Sequence, residues 1–473
     1  MTTKYIANIL LLLVALATTA SAKAQVADCS DAVSLSGAVV IVQAVSGDDT
    51  DNLQCAIDAA VAGKYTEVRL QPGDYEITAL EFRKYTGIFG GAGFEDTFVT
   101  VQDGGMECSS STNNAVFKSV LGNTVFRWMT VDVGSPCSNA STSSAVAVIG
   151  FYTDGTQCTK RVTFGQVDRA RLRGLGAAGS DSVVGIVADT ALECDPVTQQ
   201  LAGVFTFNRS YLEDLDFGVL TSVAVAEQVD ITYNEFSGVG LPVSIINAKQ
   251  TTTIQGNVFN FNDVPAYGSS GELGTTALYI ASDGDGRNGN STVLLTNTFN
   301  NLGSNSAGIA VLTGQFAKSV THSMVVIDNT FAGSADDQQG VGVASIDTSD
   351  GVFSANVFSG PGDARITISS GDSSVGFTGV EVSGWSIAGN SFESGAASDI
   401  VFSAGTSGNI VARDQGLPCV TDEGSNDVLE SCASASVAAR GAVSVGDGER
   451  YRYDSLHGLF ASRAASLFDD LPR

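Results

Sequence analysis

The chain has 473 residues, of which 51 are acidic and 24 are basic, so its formal net charge at pH 7 is −27. A surface this acidic repels nucleic acid and anionic lipid, which excludes both as expected partners. The simplest interpretation of the charge is solubility or adaptation to salty surroundings.

Residues 1–24 have the pattern of a secretory signal peptide. Lys4 supplies a positive charge, residues 9–16 form an unbroken apolar run, and two A-x-A cleavage patterns end at Ala22 and Ala24. The apolar run is too short to span a bilayer comfortably and no later run is long enough, so we expect no transmembrane segment after the signal is removed. The mature protein is therefore expected to be secreted, periplasmic or at the cell surface.

Residues 25–63 are predicted to form an N-terminal segment that ends in a capping helix. Asp49 and Thr50 are helix start signals, and Gly63 lies where the helix should stop. Three acidic side chains near the start look at first like a metal or catalytic cluster, but the helix dipole and the turn explain them more simply. These acids are Asp48, Asp49 and Asp51, and the apolar residues with helical spacing are Leu53, Ile57, Ala60 and Val61.

Residues 64–433 carry a repeat of Asn, any residue, and Phe. Successive Asn positions are separated by 23, 40, 32, 27 and 34 residues, and a β-rich stretch precedes each one. The shortest gap fits one solenoid coil of three short strands, and longer gaps fit the same coil with loop insertions. We expect the Asn amides to form a ladder along the axis and the Phe rings to stack inside the coils. The repeats lie at Asn234, Asn257, Asn297, Asn329, Asn356 and Asn390, and a weaker copy starts at Phe207.

The last segment, residues 434–473, changes in composition, because small residues are followed by an amphipathic stretch. We interpret it as a cap on the C-terminal end of the solenoid, with a partner-binding helix as the alternative. Its apolar residues fall on one helical face at Leu456, Leu459, Phe460, Leu467, Phe468 and Leu471.

Eight cysteines in an exported chain predict disulfides. Pairing of neighbours gives four local loops, which suits a solenoid because residues near in sequence stay near in space. The chain has no C-x-x-C motif and only two histidines, so neither a zinc site nor a Cys-His nucleophile is expected, and we predict no cofactor. The predicted pairs are Cys29 with Cys55, Cys108 with Cys137, Cys158 with Cys194, and Cys419 with Cys432.

A set of residues in and after the predicted helix carries a family pattern: Gly47-Asp48-Asp49-Thr50, Leu53-Gln54, Ala56-Ile57, Ala59-Ala60, Val68, Leu70, Pro72-Gly73, Tyr75, Ile88, Gly90 and Gly93. Together with the Asn-x-Phe repeats, they resemble the pectate lyase-like superfamily. The resemblance implies an all-β fold, a right-handed single-stranded parallel β-helix with an N-terminal capping helix. That superfamily includes polysaccharide lyases, glycoside hydrolases, epimerases, phage tailspikes and non-enzymatic surface proteins, so the fold alone does not select an activity.

The resemblance implies an exported protein that acts on or binds extracellular polysaccharide. If it is an enzyme, a polysaccharide lyase or a glycoside hydrolase is expected, and a monomer is expected in either case. The alternative is a non-catalytic surface, adhesive or structural β-helix. Charged side chains that converge in one open groove would indicate an enzyme, whereas charges that are spread and paired would indicate a scaffold.

The best candidate catalytic cluster lies in the basic stretch of residues 160–174. A β-helix lyase needs basic side chains to bind a uronate and stabilise its enolate, together with a base. Arg169, Arg171 and Arg173 alternate with other residues, which in a strand places three guanidinium groups on one face. Asp168 and Arg169 are the candidates that simple ion pairing between coils explains least.

Ion pairing between coils is the alternative explanation of this cluster. Aligning Phe164 with Phe207 shifts the chain by 43 residues and places Arg171 opposite Asp214 and Arg173 opposite Asp216. Asp214 and Asp216, two apart on a strand, are also candidates for the acid and base of an inverting hydrolase. The Asn-Thr-Asp, Asp-Asp and Gly-His-Gly pattern of such hydrolases and an Asp-Pro-His-Asp epimerase pattern are both missing.

The stretch "SDGDGRNGN" at residues 282–290 resembles a calcium loop only in part. Asp283 and Asp285 match the first ligands, but Arg287 occupies the third ligand position and Leu294 replaces the bidentate Glu. We therefore interpret this stretch as a solvated insertion, and calcium binding has no further support in the sequence.

Overall fold

The computed structural model describes residues 24–26, 28–108, 114–138, 145–152, 164–175, 182–189, 204–221, 228–246, 251–261, 276–281, 290–302, 307–312, 322–333, 341–346, 350–360, 362–370, 382–393, 396–411 and 419–428. Most of the predicted signal segment, the calcium-like stretch with Asp283 and Asp285, and the tail 434–473 lie outside these ranges. No helix in the described ranges is long and apolar enough to cross a membrane.

The described strands form three sheets, and the chain visits the sheets in turn, so that every third strand returns to the same one. From Val39–Val42 onward, neighbouring strands within each sheet are parallel. The first two strands, Ala24–Gln25 and Val33–Ser36, add an antiparallel extension at one end. This is the parallel β-helix, in which one coil contributes one strand to each sheet.

The strands of each sheet are given in the order in which they pair. Sheet A contains Ala24–Gln25, Val33–Ser36, Val39–Val42, Glu67–Leu70, Thr86–Gly90, Asn123–Arg127, Phe164–Asp168, Val204–Asn208, Gln228–Thr232, Thr251–Gln255, Asn290–Leu295, His322–Ile327, Gly351–Ser354, Ser386–Ala388, Ser407–Val411 and Ser425–Val428. Sheet B contains Gly73–Ile77, Thr97–Val101, Thr130–Val133, Arg171–Gly174, Tyr211–Glu213, Glu235–Ser237, Val258–Asn260, Thr298–Leu302, Thr330–Gly333, Val357–Ser359 and Ser391–Phe392. Sheet C contains Leu80–Arg83, Asn114–Val120, Ala145–Tyr152, Ser182–Asp189, Phe217–Thr221, Leu241–Ile246, Thr276–Ala281, Ala307–Leu312, Val341–Ile346, Gly362–Ser369, Ala396–Phe402 and Val420–Asp422.

Alternation of side chains within each strand builds one continuous core along the axis. In Thr251–Gln255, for example, Thr252 and Ile254 are buried and the other three residues are half-buried. Strands of this composition suit a pleated surface with one face inside. Burial of each Val, Ile or Phe side chain contributes about 1.5–3 kcal/mol to folding, and every stacked coil adds further side chains of this kind to the core.

One helix, α1 (Thr50–Gly63), covers the N-terminal end of the solenoid. Leu53, Ala56, Ile57 and Ala60 form its buried face, which packs against the first strands of sheets A and C. The Gln54 amide donates to the carbonyl of Glu81 at 2.9 Å and accepts from the Glu81 N–H at 2.9 Å. The side chain thus occupies the hydrogen-bonding edge of sheet C as a neighbouring strand would, and the predicted capping helix is confirmed.

The ends of α1 differ in detail from the predicted start and stop signals. Asp49 takes the N-cap position without a side-chain cap bond, while the Asp48 carboxylate accepts from the N–H of Thr50 at 2.8 Å. The left-handed residue at the other end is Lys64, with φ of 54°, so the helix continues through Gly63. The N–H of Tyr65 then donates to the Ala60 carbonyl at 2.9 Å and closes the last turn.

The predicted asparagine ladder is present at the turn from sheet A to sheet B. The side-chain oxygen of each Asn accepts two hydrogen bonds from the Asn that precedes it in the ladder. One comes from the backbone N–H and the other from the side-chain amide, at 2.8–3.0 Å. All six members are at most 2% exposed. The ladder therefore satisfies buried polar groups and is structural. Its members are Asn234, Asn257, Asn297, Asn329, Asn356 and Asn390.

The phenylalanines two residues further on form the predicted stack inside the coils. Neighbouring rings lie 4.7–5.1 Å apart, with interplanar angles of 2–7°. These distances follow the spacing of adjacent strands in a sheet, about 4.8 Å. The stack consists of Phe236, Phe259, Phe299, Phe331, Phe358 and Phe392.

The weaker copy that starts at Phe207 continues the ladder with a different residue. Ser210 occupies the ladder position, because its N–H donates to Asn234 Oδ1 at 3.0 Å and its hydroxyl accepts from the N–H of Ala170 at 3.2 Å. Leu212 pairs with Phe236 and takes the place of the Phe. This coil therefore uses a hydroxyl and an aliphatic side chain for the same two roles.

Two of the four predicted disulfides lie in the described ranges and are formed. Cys29 is bonded to Cys55, which ties the N-terminal segment to α1, and Cys108 is bonded to Cys137. Cys419 is also disulfide-bonded. The remaining predicted cysteines, Cys158, Cys194 and Cys432, lie outside the described ranges.

Candidate functional site

The basic stretch singled out in the sequence crosses the turn from sheet A to sheet B. Asp168 ends the strand Phe164–Asp168, Arg169 lies in the turn, and Arg171 and Arg173 lie in Arg171–Gly174. In that strand the two arginines are half-buried and Leu172 between them is buried, so both guanidinium groups point outward, in agreement with the predicted alternation.

Ion pairs between coils hold the two outward arginines of sheet B. Arg173 forms a two-point contact with Asp132 of the preceding coil, with Nε–Oδ1 at 2.9 Å and Nη2–Oδ2 at 2.7 Å. The hydrogen bonds to Asp132 raise the pKa of Arg173 above its ordinary value. Arg171 Nε lies 3.5 Å from Glu213 Oε1 on the following coil. Arg173 is thus linked to the preceding coil and Arg171 to the following one.

The predicted partners of these arginines are wrong. Arg171 pairs in register with Tyr211 and Arg173 with Glu213, a shift of 40 residues between coils instead of 43. Phe207 is opposite Val167, not Phe164. The alignment from the sequence paired two phenylalanines that have different environments. Phe207 faces the core, whereas Phe164 is only half-buried at the start of its strand.

Two adjoining aromatic rings lie on one side of the guanidinium group of Arg171. Its Cζ lies 5.5 Å from the ring centroid of Phe94 and 5.2 Å from that of Tyr211, and the two rings are 5.7 Å apart. The loop that carries Phe94 is fixed to the sheet because the Thr130 hydroxyl donates to the Phe94 carbonyl at 2.6 Å. Attraction between the guanidinium charge and the ring faces orders this group.

A second cluster lies beside the first, at the turn. The buried carboxylate of Asp168 contacts two guanidinium groups: Arg169 Nη1 at 3.2 Å from Oδ2 and Arg209 Nη2 at 2.8 Å from Oδ1. The contact with Arg169 is a hydrogen bond, whereas the contact with Arg209 is an ion pair without hydrogen-bond alignment. Two cations around one carboxylate leave this cluster with a net positive charge, which is unusual in so acidic a chain.

A row of left-handed residues borders this turn, one on each coil. Trp128, Arg169, Arg209 and Tyr233 have φ of 57°, 52°, 51° and 58°. The guanidinium group of Arg127 lies 3.9 Å above the Trp128 ring and 3.5 Å from a Glu67 oxygen. The left-handed backbone is less favourable for residues with a side chain, so four in succession indicate that the turn geometry is imposed by the coil.

The other predicted site residues, Asp214 and Asp216, lie at the next turn, between sheets B and C. Asp214 has φ of 52° and its carboxylate is close to Gly238. Asp216 accepts from the N–H of Val183 at 2.7 Å, so its carboxylate bridges two coils. Asp214 lies close enough to Arg173 for its charge to contribute to the raised pKa of that guanidinium group, after the contribution of Asp132. Asp216 has a structural partner.

We call the outward surface formed by the two clusters the arginine face. Its residues are Arg127, Arg169, Arg171, Arg173 and Arg209, the carboxylates Asp132, Asp168 and Glu213, and the rings of Phe94 and Tyr211. Within the described ranges, no group of three or more His, Cys, Asp or Glu could hold a metal ion.

The ion pairs of the arginine face are weak enough to exchange partners. Most of its guanidinium groups keep a third or more of their side-chain surface in water, and such pairs stabilise a protein by about 0–1 kcal/mol. A ligand with carboxylates or hydroxyl groups can therefore displace them at low cost. The rings, fixed by the loop and the sheet, offer flat apolar surface beside these donors.

Sequence reasoning missed six residues of this face: Phe94, Arg127, Asp132, Arg209, Tyr211 and Glu213. Arg209 and Tyr211 lie one coil after Arg169 and Arg171, at the same positions of the coil. Correct alignment of the two coils through the ladder residue Ser210 would have identified them. The contribution of Phe94 had no local signal, because it depends on how a loop folds across neighbouring coils.

Solved structures share the fold. The chain superposes on the A-module of a mannuronan C-5 epimerase of Azotobacter vinelandii with a TM-score of 0.52 and 15% identity, over 82% of this chain and 95% of that one. A second mannuronan C-5 epimerase A-module of the same organism gives 0.47 and 14%, over 82% and 94%. The Dettilon tailspike protein gives 0.39 and 12%, over 82% and 68%.

No family model matches the sequence, and the search of curated proteins finds no match. At these identities, structural likeness shows the fold alone. The parallel sheets, α1 and the likeness to the first epimerase module confirm the predicted class, an all-β right-handed parallel β-helix with an N-terminal capping helix.

Proposed function

We propose that the protein binds an extracellular polysaccharide across the arginine face. The observation that carries this proposal is the guanidinium group of Arg171 packed against the adjoining rings of Phe94 and Tyr211 on the outward face of sheet B. Aromatic rings offer flat surfaces for the C–H faces of sugars, and guanidinium groups donate paired hydrogen bonds to hydroxyl and carboxylate oxygens. Coils repeat about every 4.8 Å, so a polymer lying along the axis meets such groups in series.

Cleavage of the bound polysaccharide, by a lyase or a hydrolase, is the finer prediction. For a lyase, Asp168 and Arg169 would act as the base and the enolate-stabilising cation, with Arg171 and Arg173 binding the substrate. A hydrolase has less support, because the Asp216 carboxylate is engaged by the N–H of Val183. Export of the protein is supported by its disulfides, because such bonds persist in oxidising compartments.

The second candidate function is a non-catalytic surface or adhesive β-helix. The observation that favours it is the pairing of the charges: each of the five arginines on the face has a carboxylate within 3.5 Å. Paired charges of this kind hold coils together without any ligand.

Binding to a panel of plant, algal and bacterial polysaccharides tests the proposal. We expect Tyr211→Ala and Arg171→Ala to weaken binding to the best ligand by at least about tenfold, because each removes part of the ring and cation arrangement. Arg83→Ala is the matched control, since Arg83 pairs with Glu81 on sheet C, away from the face, and should bind like the wild type. Equal binding by all three variants would overturn the proposal.

The two candidate functions differ in products. Ultraviolet absorbance detects the unsaturated ends of lyase products, and reducing ends detect hydrolysis. If the wild type cleaves a polysaccharide, Arg169→Ala should lose most of that activity while it still binds. Binding without any product from the whole panel would favour the adhesive function.

A further inference from the structure

The outer face of sheet A changes character along the axis. One outward column reads Ile88 and Val125 on earlier strands, and then Gln166, Thr206, Asp230 and Thr253 in its middle. In its second half, the same column reads Val293, Val325, Val352, Ser386 and Ile410. A polar surface near the arginine face is thus followed by an aliphatic one.

The aliphatic half forms a strip across five neighbouring strands, interrupted by Ser386 on the fourth of them. A second column, two residues further along each strand, adds Leu295 and Ile327. Val352 is 37% exposed and Ile410 is 50% exposed, and the other members are half-buried. We call this surface the apolar strip, and it consists of Val293, Leu295, Val325, Ile327, Val352 and Ile410.

An ordered row of aliphatic side chains facing water marks an interaction surface, because scattered single exposures are ordinary but contiguous ones are not. The strip spans four strand spacings of about 4.8 Å, or about 19 Å along the axis. A helix of about 13 residues has this length, at 1.5 Å per residue.

The chain itself contains a segment that fits the strip. The last described strand, Ser425–Val428, lies in sheet A directly beside Ser407–Val411, which carries Ile410. The chain therefore leaves the described structure at one end of the strip. Residues 429–473 follow, and they include the amphipathic stretch of residues 456–471.

Length and pattern agree with this occupant. As a helix, residues 456–471 would be about 24 Å long, which covers the strip. The intervening residues 429–455 can span on the order of 90 Å when extended, so they reach any part of it. Leu456, Leu459, Phe460 and Leu467 provide an apolar face to match the aliphatic row.

We propose that residues 456–471 pack as an amphipathic helix along the apolar strip of their own chain. The tail then covers a side of the solenoid, not its open end as the sequence alone indicates. This inference does not depend on the proposed function, because the strip begins at strand Asn290–Leu295, several coils beyond the arginine face.

Cross-linking of the full chain tests the contact. Cysteines introduced as Val352→Cys and Phe460→Cys, with the native disulfides left oxidised, should be joined within one chain by a short bismaleimide linker. Leu175→Cys combined with Phe460→Cys is the matched control, because Leu175 is 52% exposed but lies at the end of a sheet B strand. We expect at least about tenfold less cross-linking for the control pair.

Equal cross-linking of both pairs, or none at Val352, would overturn the proposal. A linker that joins two chains instead of one would identify a second copy as the occupant and would also overturn it. Mass spectrometry of the cross-linked peptides distinguishes these results.

Footprinting provides a measurement without introduced cysteines. In the full chain with Leu459→Asp and Phe460→Asp, hydroxyl-radical labelling of Val352 and Ile410 should rise about threefold or more, because a charged helix face no longer covers them. The control carries Ser462→Asp and Ala465→Asp, on the opposite helical face, and should label like the wild type. Unchanged labelling in the first variant would contradict the packing.

Discussion

At the residue scale, the asparagine ladder shows how one side-chain type satisfies a buried turn. Asn297 Oδ1 accepts from the N–H and from Nδ2 of Asn257, each at 3.0 Å. Its own Nδ2 donates to the Ile254 carbonyl at 2.8 Å and to Asn329 Oδ1 at 2.9 Å. No other side chain of this size offers an acceptor and two donors in this arrangement, which explains why Asn recurs.

Removing one amide from the ladder should be costly. Asn297→Ala leaves the backbone N–H of Asn257 and one of its two Nδ2 hydrogens without an acceptor, while Nδ2 still donates to the Ile231 carbonyl. Each buried unsatisfied group costs about 1–3 kcal/mol. We expect the free energy of unfolding to fall by about 3 kcal/mol, measured by urea denaturation. Asn300→Ala is the control, since Asn300 is half-buried and makes one side-chain bond, to Asn260, and it should cost less than about 1 kcal/mol.

Asp49 is a second case in which the residue environment decides the role. Its side chain is fully buried, and its oxygens accept from the N–H of Val45 at 3.0 Å and from the N–H of Glu76 at 3.4 Å. Burial raises the pKa of this carboxyl above its ordinary value, more than these hydrogen bonds lower it. The residue joins the segment before α1 to the first coil, in place of a side-chain cap on the helix.

This raised pKa gives a signed pH dependence. The folded protein binds the Asp49 proton more tightly than the unfolded chain does, so protonation of Asp49 favours folding. The contribution of Asp49 protonation to the free energy of unfolding is complete below the pKa of the unfolded chain, about 3.9. It is lost as the pH rises through the pKa of Asp49 in the folded protein. The stability of the wild type relative to Asp49→Asn should therefore increase as the pH falls from about 7 to about 3.5.

Urea denaturation of both proteins across this pH range measures the difference. Asp51→Asn, exposed in the first turn of the same helix, is the control and should not show this gain. A difference that shrinks on acidification would mean that hydrogen bonding outweighs burial at Asp49.

At the element scale, α1 replaces the missing neighbour of the first coil. Its four buried side chains close the core, and Gln54 pairs with the edge of sheet C. The sequence identified this helix because its signals are local: spacing of apolar residues, acids at the start and a glycine near the end. A cap is needed because a solenoid end otherwise exposes both core and strand edges.

Shortening one buried side chain of α1 should loosen this end. Leu53→Ala removes a fully buried side chain and should lower the free energy of unfolding by about 2–5 kcal/mol, or melt the first coil separately. Hydrogen exchange of Val39–Val42 and Glu67–Leu70 distinguishes local from global loss. Val61→Ala, on the half-buried side of the helix, should cost less than half as much; equal costs would show that α1 does not close the core.

At the scale of the whole molecule, the fold was predictable but much of the candidate site was not. Repeated Asn and Phe positions reveal coils because each coil must present the same groups to its neighbours. Local alternation also showed that Arg171 and Arg173 share a face. Their partners depend on the register between coils 40 residues apart, which loop insertions obscure, and this is why the predicted contact with Asp214 is wrong.

In the ladder, the number of residues between successive Asn positions varies, but the distance between them does not. Successive steps are 23, 40, 32, 27 and 34 residues apart, yet each Asn bonds to the next at nearly the same distance. The spacing between coils at this turn is thus constant, while the number of residues per coil varies elsewhere. Evolution can lengthen a loop on any coil, or graft a new recognition segment there, without disturbing the coils above and below.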